Sequence, residues 1–97
     1  MMPEAIRPLV RRAILDLLFD VGGEHNDDYL TVLLKQLGHR GVARDDVAEQ
    51  LQWLGDQGYV ALEPVGPFLT ARILSKGRDI ADGSKVVEGV WRHKTGD

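Results

Sequence analysis

The chain has 97 residues, of which 43% are hydrophobic and 28% are charged, a size and composition that predict one small globular domain. It contains no cysteine, which excludes disulfides and thiolate metal sites and is typical of a protein in a reducing cytoplasm. The formal net charge of −3 gives no basic excess for nucleic acid, and the short apolar runs predict neither a signal peptide nor a membrane span.

The first predicted element is a helix over Pro3–Asp20, which Gly22 and Gly23 end. Apolar residues recur along it every three or four positions, the pattern of an amphipathic helix: Ile6, Leu9, Val10, Ala13, Ile14, Leu17, Leu18 and Val21. Pro8 either opens the main helix in its first turn or kinks a longer one. The polar side of this helix is predicted to carry Arg7, Arg11 and Arg12.

The second predicted helix begins at Asn26, whose side chain can cap it, and ends at Gly38. Asp27 and Asp28 lie in its first turn, where the helix dipole favours negative charge. The buried face is predicted to consist of Leu30, Leu33, Leu34 and Leu37. The short connector GHRGVA follows, which implies that the second and third helices pack on each other and on the first.

The third predicted helix covers Arg44–Gly58 and contains one base and four acids, so the net negative charge of the chain lies in this helix. One face is apolar, with Val47, Leu51 and Leu54. The opposite face carries Asp45, Glu49, Gln52 and Asp56. Trp53 lies roughly 140° from the centre of the apolar face. A tryptophan placed there needs a cover, which the following hairpin, the chain's own tail or another molecule would provide.

Two strands are predicted next, Tyr59–Glu63 and Phe68–Leu74, joined by the turn Pro64-Val65-Gly66-Pro67. They form a hairpin, which is not stable alone in water and is therefore expected to pack against the helices. Ser75 is predicted to cap a short helix over Lys76–Ala81, ended by Gly83. The tail, residues 84–97, contains Val86, Val87, Val90 and Trp91, and this apolar content predicts that it docks on the chain itself or on a partner.

The order helix, helix, helix, hairpin, short helix and tail predicts an α+β winged helix-turn-helix, a single domain over residues 1–97 whose two-stranded hairpin is the wing. The predicted core combines the apolar faces of the three helices with the inner face of the hairpin. Its members are Ile14, Leu17, Leu18, Leu30, Leu33, Leu34, Val47, Leu51, Leu54, Val60, Leu62 and Ile73.

The chain also resembles small winged-helix proteins of Mu-like phages and prophages, often labelled ArsR-type regulators. The likeness rests on Asn26, Gly38-His39, Leu51-Gln-Trp-Leu54, Gln57-Gly58-Tyr59-Val60, Leu74-Ser-Lys-Gly77, Ile80-Ala-Asp-Gly83 and Gly89-Val90, which together span most of the chain. The resemblance implies a phage-encoded cytoplasmic protein with a regulatory role. It supplies no catalytic residues, and metal sensing is not carried over because the chain has no cysteine.

The leading functional hypothesis is DNA binding in phage gene regulation, with the third helix as the recognition helix. Arg44, Gln50 and Gln52 are the candidates to read DNA, and His39, Arg40 and Arg72 the candidates to lie near its backbone. Against this, the turn of the wing has no Lys or Arg, and Asp45, Asp46 and Glu49 would face phosphates. Lysine in place of Asp45 and Glu49 would tighten DNA binding if the helix enters a groove.

The alternative hypothesis is a protein-interaction module that does not bind DNA. Trp53 with its acidic rim would be one anchor, and Val86, Val87, Val90 and Trp91 would form another, contacting a phage or host protein or a second copy of the chain. In the competing structural interpretation the tail folds back over Trp53, and both are satisfied within one chain.

Neither catalysis nor a metal site is predicted. The carboxylates Asp45, Asp46 and Glu49 are best explained as a solvated helix start. His25, His39 and His93 lack the spacing of a helical metal pair, and no glycine-rich phosphate loop follows a strand. We therefore expect a non-enzymatic protein without cofactors.

Overall fold

The structure, a computed structural model, describes residues 2–94. This part of the chain forms an α+β domain in which four α-helices pack with one three-stranded antiparallel sheet. A 3-10 turn at Glu4–Ile6 precedes the first helix. In chain order the elements are α1 Arg7–Asp20, β1 Glu24–Asn26, α2 Asp27–Gln36, α3 Arg44–Asp56, β2 Val60–Val65, β3 Phe68–Ile73 and α4 Ser75–Ala81. The predicted tail runs through residues 84–97, of which 95–97 lie outside the described part.

Helix α1 is the central element of the domain. It begins at Arg7, so Pro8 lies in its first turn, which confirms the first of the two alternatives for this proline. Five consecutive residues, 12–16, are buried, so the helix is covered on more than one side. The prediction that Arg12 lies on a polar side is therefore wrong. Its guanidinium donates to the carbonyl oxygens of Ile80 and Ala81, both at 3.1 Å, because α4 packs against this side of α1.

Helices α2 and α3 begin and end near the residues that the sequence predicts. The Asn26 side chain accepts a 2.8 Å hydrogen bond from the backbone N–H of Tyr29, which confirms the predicted cap. At the start of α3, the backbone N–H of Ala43 donates to the Asp46 carboxylate at 2.9 Å. At its end, Gly58 adopts a positive φ of 80°, and the N–H of Tyr59 donates to Leu54 O, which satisfies a terminal carbonyl.

The sheet has the strand order β1-β3-β2, so the hairpin β2–β3 is extended by a third strand. Val60 pairs with Ile73 and Val65 with Phe68, which makes the turn two residues long, shorter than the predicted four. Strand β1 was not predicted. Its three residues, Glu-His-Asn, carry no apolar alternation, and they become a strand because they pair with β3 from Arg72 to Thr70.

The core confirms most of the predicted members, since only Leu17, Leu33 and Leu62 are partly exposed. It also includes residues that the predicted core does not name, among them Val10, Leu15, Val42, Ala71, Ile80 and Val90. One capping prediction is wrong, because Ser75 is the first residue of α4 and Leu74 occupies the cap position without a side-chain hydrogen bond. Across residues 2–94, none of the helices has the length and apolar character needed to cross a membrane.

Candidate functional site

The outer face of α3 presents a line of acidic side chains. Four exposed residues form this line, and we call them the acidic stripe: the carboxylates Asp45, Glu49 and Asp56, and the amide Gln52. On an ideal helix their positions fall within a sector of about 60°, so they form a row along the helix rather than a scattered set. The ion pairs found in residues 2–94 include none of these three carboxylates. Asp45 and Asp56 therefore offer unpaired negative charge to solvent or to a partner, and Glu49 adds a charge that also acts on Arg11.

Arg44, predicted to read DNA, is held by the protein itself. Its Nε donates to Asp27 Oδ2 at 3.1 Å, and another of its nitrogens donates to the carbonyl oxygen of Pro67 in the turn of the β2–β3 hairpin. Its guanidinium carbon also lies 5.0 Å from the centre of the Phe68 ring. The side chain thus joins the start of α3 to α2 and to the hairpin. Bringing it to a DNA base would require these contacts to break.

Asp27 is the residue that holds this junction together, and it was predicted only as a charge near a helix end. It is buried, and Oδ1 accepts hydrogen bonds from the backbone N–H groups of Asp28 at 3.0 Å and Leu69 at 3.2 Å. Oδ2 accepts from Arg44. The carboxylate therefore ties the first turn of α2 to β3, a long-range contact for which the sequence contains no local signal.

Gln50, the second predicted DNA-reading residue, is only 1% exposed. Its Oε1 accepts a 2.8 Å hydrogen bond from Arg11 Nε on α1. The prediction that Gln50 contacts DNA is corrected for this reason: α1 covers the side of α3 on which the glutamine lies. A side chain that is buried and hydrogen-bonded within the domain has no surface with which to read a base.

Trp53 is covered by the chain's own tail and by α1. The Arg11 guanidinium carbon lies 3.9 Å from the centre of its ring, and Arg11 Nη1 donates to the Gly89 carbonyl oxygen at 3.0 Å. Gly89 has a φ of 89°, and a Cβ there would lie 2.6 Å from Trp53 Cζ2, so the backbone approaches the ring closely. Burial lowers the pKa of Arg11 from its ordinary value, Arg7 lowers it further, and Glu49 opposes the shift.

Part of the apolar tail packs on the domain itself. Val90 is buried and Val87 is partly buried against the core, so the predicted role of Val90 in an interface is corrected: it packs inside its own domain. The backbone N–H of Trp91 donates to Pro8 O at 3.1 Å, which fixes the tail on α1. The side chains of Val86 and Trp91 remain exposed and are the part of the predicted tail surface available to a partner.

The remaining predicted DNA contacts lie at the surface but are dispersed. Arg40 is exposed and His39 half-buried in the α2–α3 connector, Gln52 belongs to the acidic stripe, and Arg72 is exposed on β3. The structure thus leaves two exposed bases, Arg40 and Arg72, from the predicted set. Within residues 2–94 there is also no group of three or more potential metal-ligating side chains.

Comparison with known proteins places the chain among phage proteins. It is 38% identical over 82 residues to the uncharacterized protein gp26 of Escherichia phage Mu, and the match covers 84% of each chain. The chain therefore belongs to the family of that Mu phage protein, which confirms the expected Mu-like phage relationship. No family model matches the sequence. No solved structure matches it either, and the ArsR-type label stays a prediction.

Proposed function

We propose that this chain is a winged-helix domain of a Mu-like phage whose α3 contacts a protein rather than DNA. The order α1-β1-α2-α3-β2-β3, with the sheet order β1-β3-β2, supports a winged helix in which β2 and β3 form the wing. In such domains α3 is the helix that normally enters the major groove. The chemistry of α3 therefore decides which kind of partner the domain binds.

The observation that carries the proposal is the acidic stripe. DNA presents a dense row of phosphates, and binding depends on neutralising them with Lys and Arg. Asp45, Glu49 and Asp56 on the exposed face of α3 would oppose that approach, because like charges across an interface are unfavourable. The wing does not compensate, since its tip is Val65, Gly66 and Pro67. The same stripe complements a protein surface rich in lysine and arginine.

The state of Arg44 and Gln50 agrees with this proposal. Both were candidates for base contacts, and both instead make hydrogen bonds inside the domain. Arg44 stabilises the position of the wing relative to α3, and Gln50 joins α3 to α1. In a protein-binding domain these residues set the shape of the surface, and the exposed carboxylates recognise the partner. No catalytic role is assigned to any of them.

A neutral, nearly isosteric variant tests the proposal: Asp45→Asn, Glu49→Gln and Asp56→Asn combined. Wild type, this stripe variant and a control variant would each be immobilised as bait. The proteins that they retain from a lysate of cells carrying the phage would be compared at low and at moderate salt. The matched control removes three exposed acids elsewhere, with Glu63→Gln, Asp82→Asn and Glu88→Gln. We expect a phage or host protein that is retained by wild type and by the control variant, and lost with the stripe variant and with added salt. Equal retention by all three baits would contradict the proposal.

DNA binding remains the second candidate, and the exposed Arg40 beside His39, at the connector before α3, is the observation that favours it. Its test is the binding of a short DNA duplex titrated with salt. An affinity whose log–log salt slope is about −0.9 per phosphate neutralised, lost on replacing Arg40 and Arg44 by alanine, would support DNA binding. Tighter binding with Asp45→Lys and Glu49→Lys would place α3 in a groove. No binding at low salt is the result that the protein-contact proposal expects.

A further inference from the structure

The outward face of α2 carries more apolar surface than a solvated helix normally does. Tyr29 and Val32 are 45% and 49% exposed, although the opposite face of the same helix buries Leu30 and Leu34. The outer face of an amphipathic helix is ordinarily polar. Single exposed apolar residues need no explanation, but a contiguous set is typical of a contact site.

These side chains form a continuous strip. On an ideal helix, Tyr29, Val32 and Gln36 fall within a sector of about 60°, and the strip covers about 10 Å of helix length. At its N-terminal end the Tyr29 ring lies 4.7 Å from the ring of His25. His25 in turn contacts the carbonyl oxygen of Val21, which is also exposed. The His25 ring therefore links Tyr29 on α2 to the residue that follows α1.

Two opposite charges lie along one flank of this strip. Asp28 and Lys35 are exposed and seven residues apart, so on the helix they point within about 20° of each other, one near each end of α2. None of the ion pairs in residues 2–94 involves either of them. An apolar strip with a negative charge at one end and a positive charge at the other complements itself when turned by 180°.

We propose that α2 is a homodimer interface, in which the α2 helices of two copies pack antiparallel about a twofold axis near Val32. A twofold axis perpendicular to the helices keeps each flank on its own side and reverses the direction of the chain. Asp28 of one copy then lies opposite Lys35 of the other, and the reverse pair forms as well. Val32 packs against its own symmetry mate, and Tyr29 against Gln36 of the second copy.

The size of the surface predicts a weak dimer. One helix pair with its flanking residues buries less than the roughly 1,200–2,000 Å² of a stable specific interface. Self-association is therefore to be measured by sedimentation equilibrium at concentrations up to the order of 100 μM, where a weak complex becomes populated. This dimer does not depend on the proposed role of α3, because the acidic stripe is not part of it.

The first test replaces Val32, at the proposed axis, by glutamate. Two carboxylates would be buried against each other, so we expect a dimer dissociation constant raised roughly a hundredfold or more. The matched control is Val65→Glu at the tip of the wing, where valine is 52% exposed and lies in another surface. It should leave the dissociation constant unchanged. A wild-type chain that stays monomeric over the whole concentration range would overturn the proposal.

The second test uses the predicted charge pairing and distinguishes an antiparallel dimer from any other use of this face. Asp28→Lys places two lysines in each pair, and Lys35→Asp places two aspartates, so each variant alone should dimerise roughly tenfold more weakly. Mixing the two variants restores Lys–Asp contacts in both pairs, and a heterodimer of near wild-type affinity should form. If the mixture associates no better than its components, the antiparallel arrangement is wrong. Circular dichroism of each exposed-site variant checks that the fold is retained.

Discussion

The domain contains two arginine–aspartate pairs, and they differ in their access to water. Arg12 and Asp16 meet at 2.9 Å within α1, and their side chains are 4% and 5% exposed. Arg44 and Asp27 meet at 3.1 Å between α3 and α2, with side chains 37% and 6% exposed. In the first pair both charges have lost their water, whereas in the second only the aspartate has.

This difference in exposure predicts that the Arg12–Asp16 pair is needed for the packing of the domain. The Arg44–Asp27 pair is predicted to be the easier one to break. Removing one partner of a fully buried pair leaves an uncompensated charge in the interior, which is strongly destabilising. Arg12 also holds the last carbonyls of α4, so it fixes that helix on α1. The half-exposed guanidinium of Arg44 regains water when its contacts break. Three substitutions test this contrast, and they are taken in order of decreasing expected effect.

The largest effect is expected for Asp16→Ala, which leaves Arg12 buried without its carboxylate. We expect the free energy of unfolding to fall by about 3–5 kcal/mol, measured by urea denaturation. The matched control is Asp20→Ala, one turn further along α1, where the aspartate is half-exposed and pairs with Lys94 at the surface. That change should cost less than about 1 kcal/mol. Similar losses for the two variants would show that the burial of the Arg12–Asp16 pair does not set its contribution to stability.

The first of these pairs shows how far a sequence pattern can predict burial. The periodicity of α1 identifies its apolar face, because Ile14 and Leu18 recur at helical spacing and are indeed buried. Arg12 and Asp16 are four residues apart, which is also the spacing of an ordinary surface pair. Only the docking of α4, a long-range contact, places them in the interior. Local periodicity does not contain that information.

The candidate site shows the same limit. The bounds of α3 and the exposure of its carboxylates could be predicted, because they follow from helical spacing and from a glycine stop. Trp53 could be identified as needing a cover, but the choice of the tail depends on how Gly89 approaches the ring. Gln50 was misplaced because α1 covers one more side of α3 than an amphipathic pattern implies. Side chains at the boundary between two faces depend on tertiary packing.

The second prediction concerns Asp27→Ala, which removes the buried member of the more exposed pair. The variant loses the bonds to the N–H of Leu69 and to Arg44, and we expect a loss of about 2–3 kcal/mol in the free energy of unfolding. Hydrogen exchange at the Leu69 amide should accelerate more than at amides of α1. The control, Asp45→Ala, removes an exposed aspartate from the first turn of α3 and should cost at most about 1 kcal/mol. Unchanged exchange at Leu69 would contradict the role assigned to Asp27.

The smallest effect is expected for Arg44→Ala, because Asp27 keeps the backbone N–H groups of Asp28 and Leu69, and water can enter the partly exposed space that the guanidinium leaves. The free energy of unfolding should fall by less than about 1 kcal/mol, well below the loss for Asp16→Ala. The contacts to Pro67 and Phe68 are lost as well, so hydrogen exchange in the β2–β3 hairpin should increase while α1 is unaffected. A double-mutant cycle with Asp27→Ala isolates the pair itself. A coupling energy near that of a fully buried pair would contradict the contrast drawn between the two pairs. Arg44 would then contribute to the stability of the fold as much as Arg12 does.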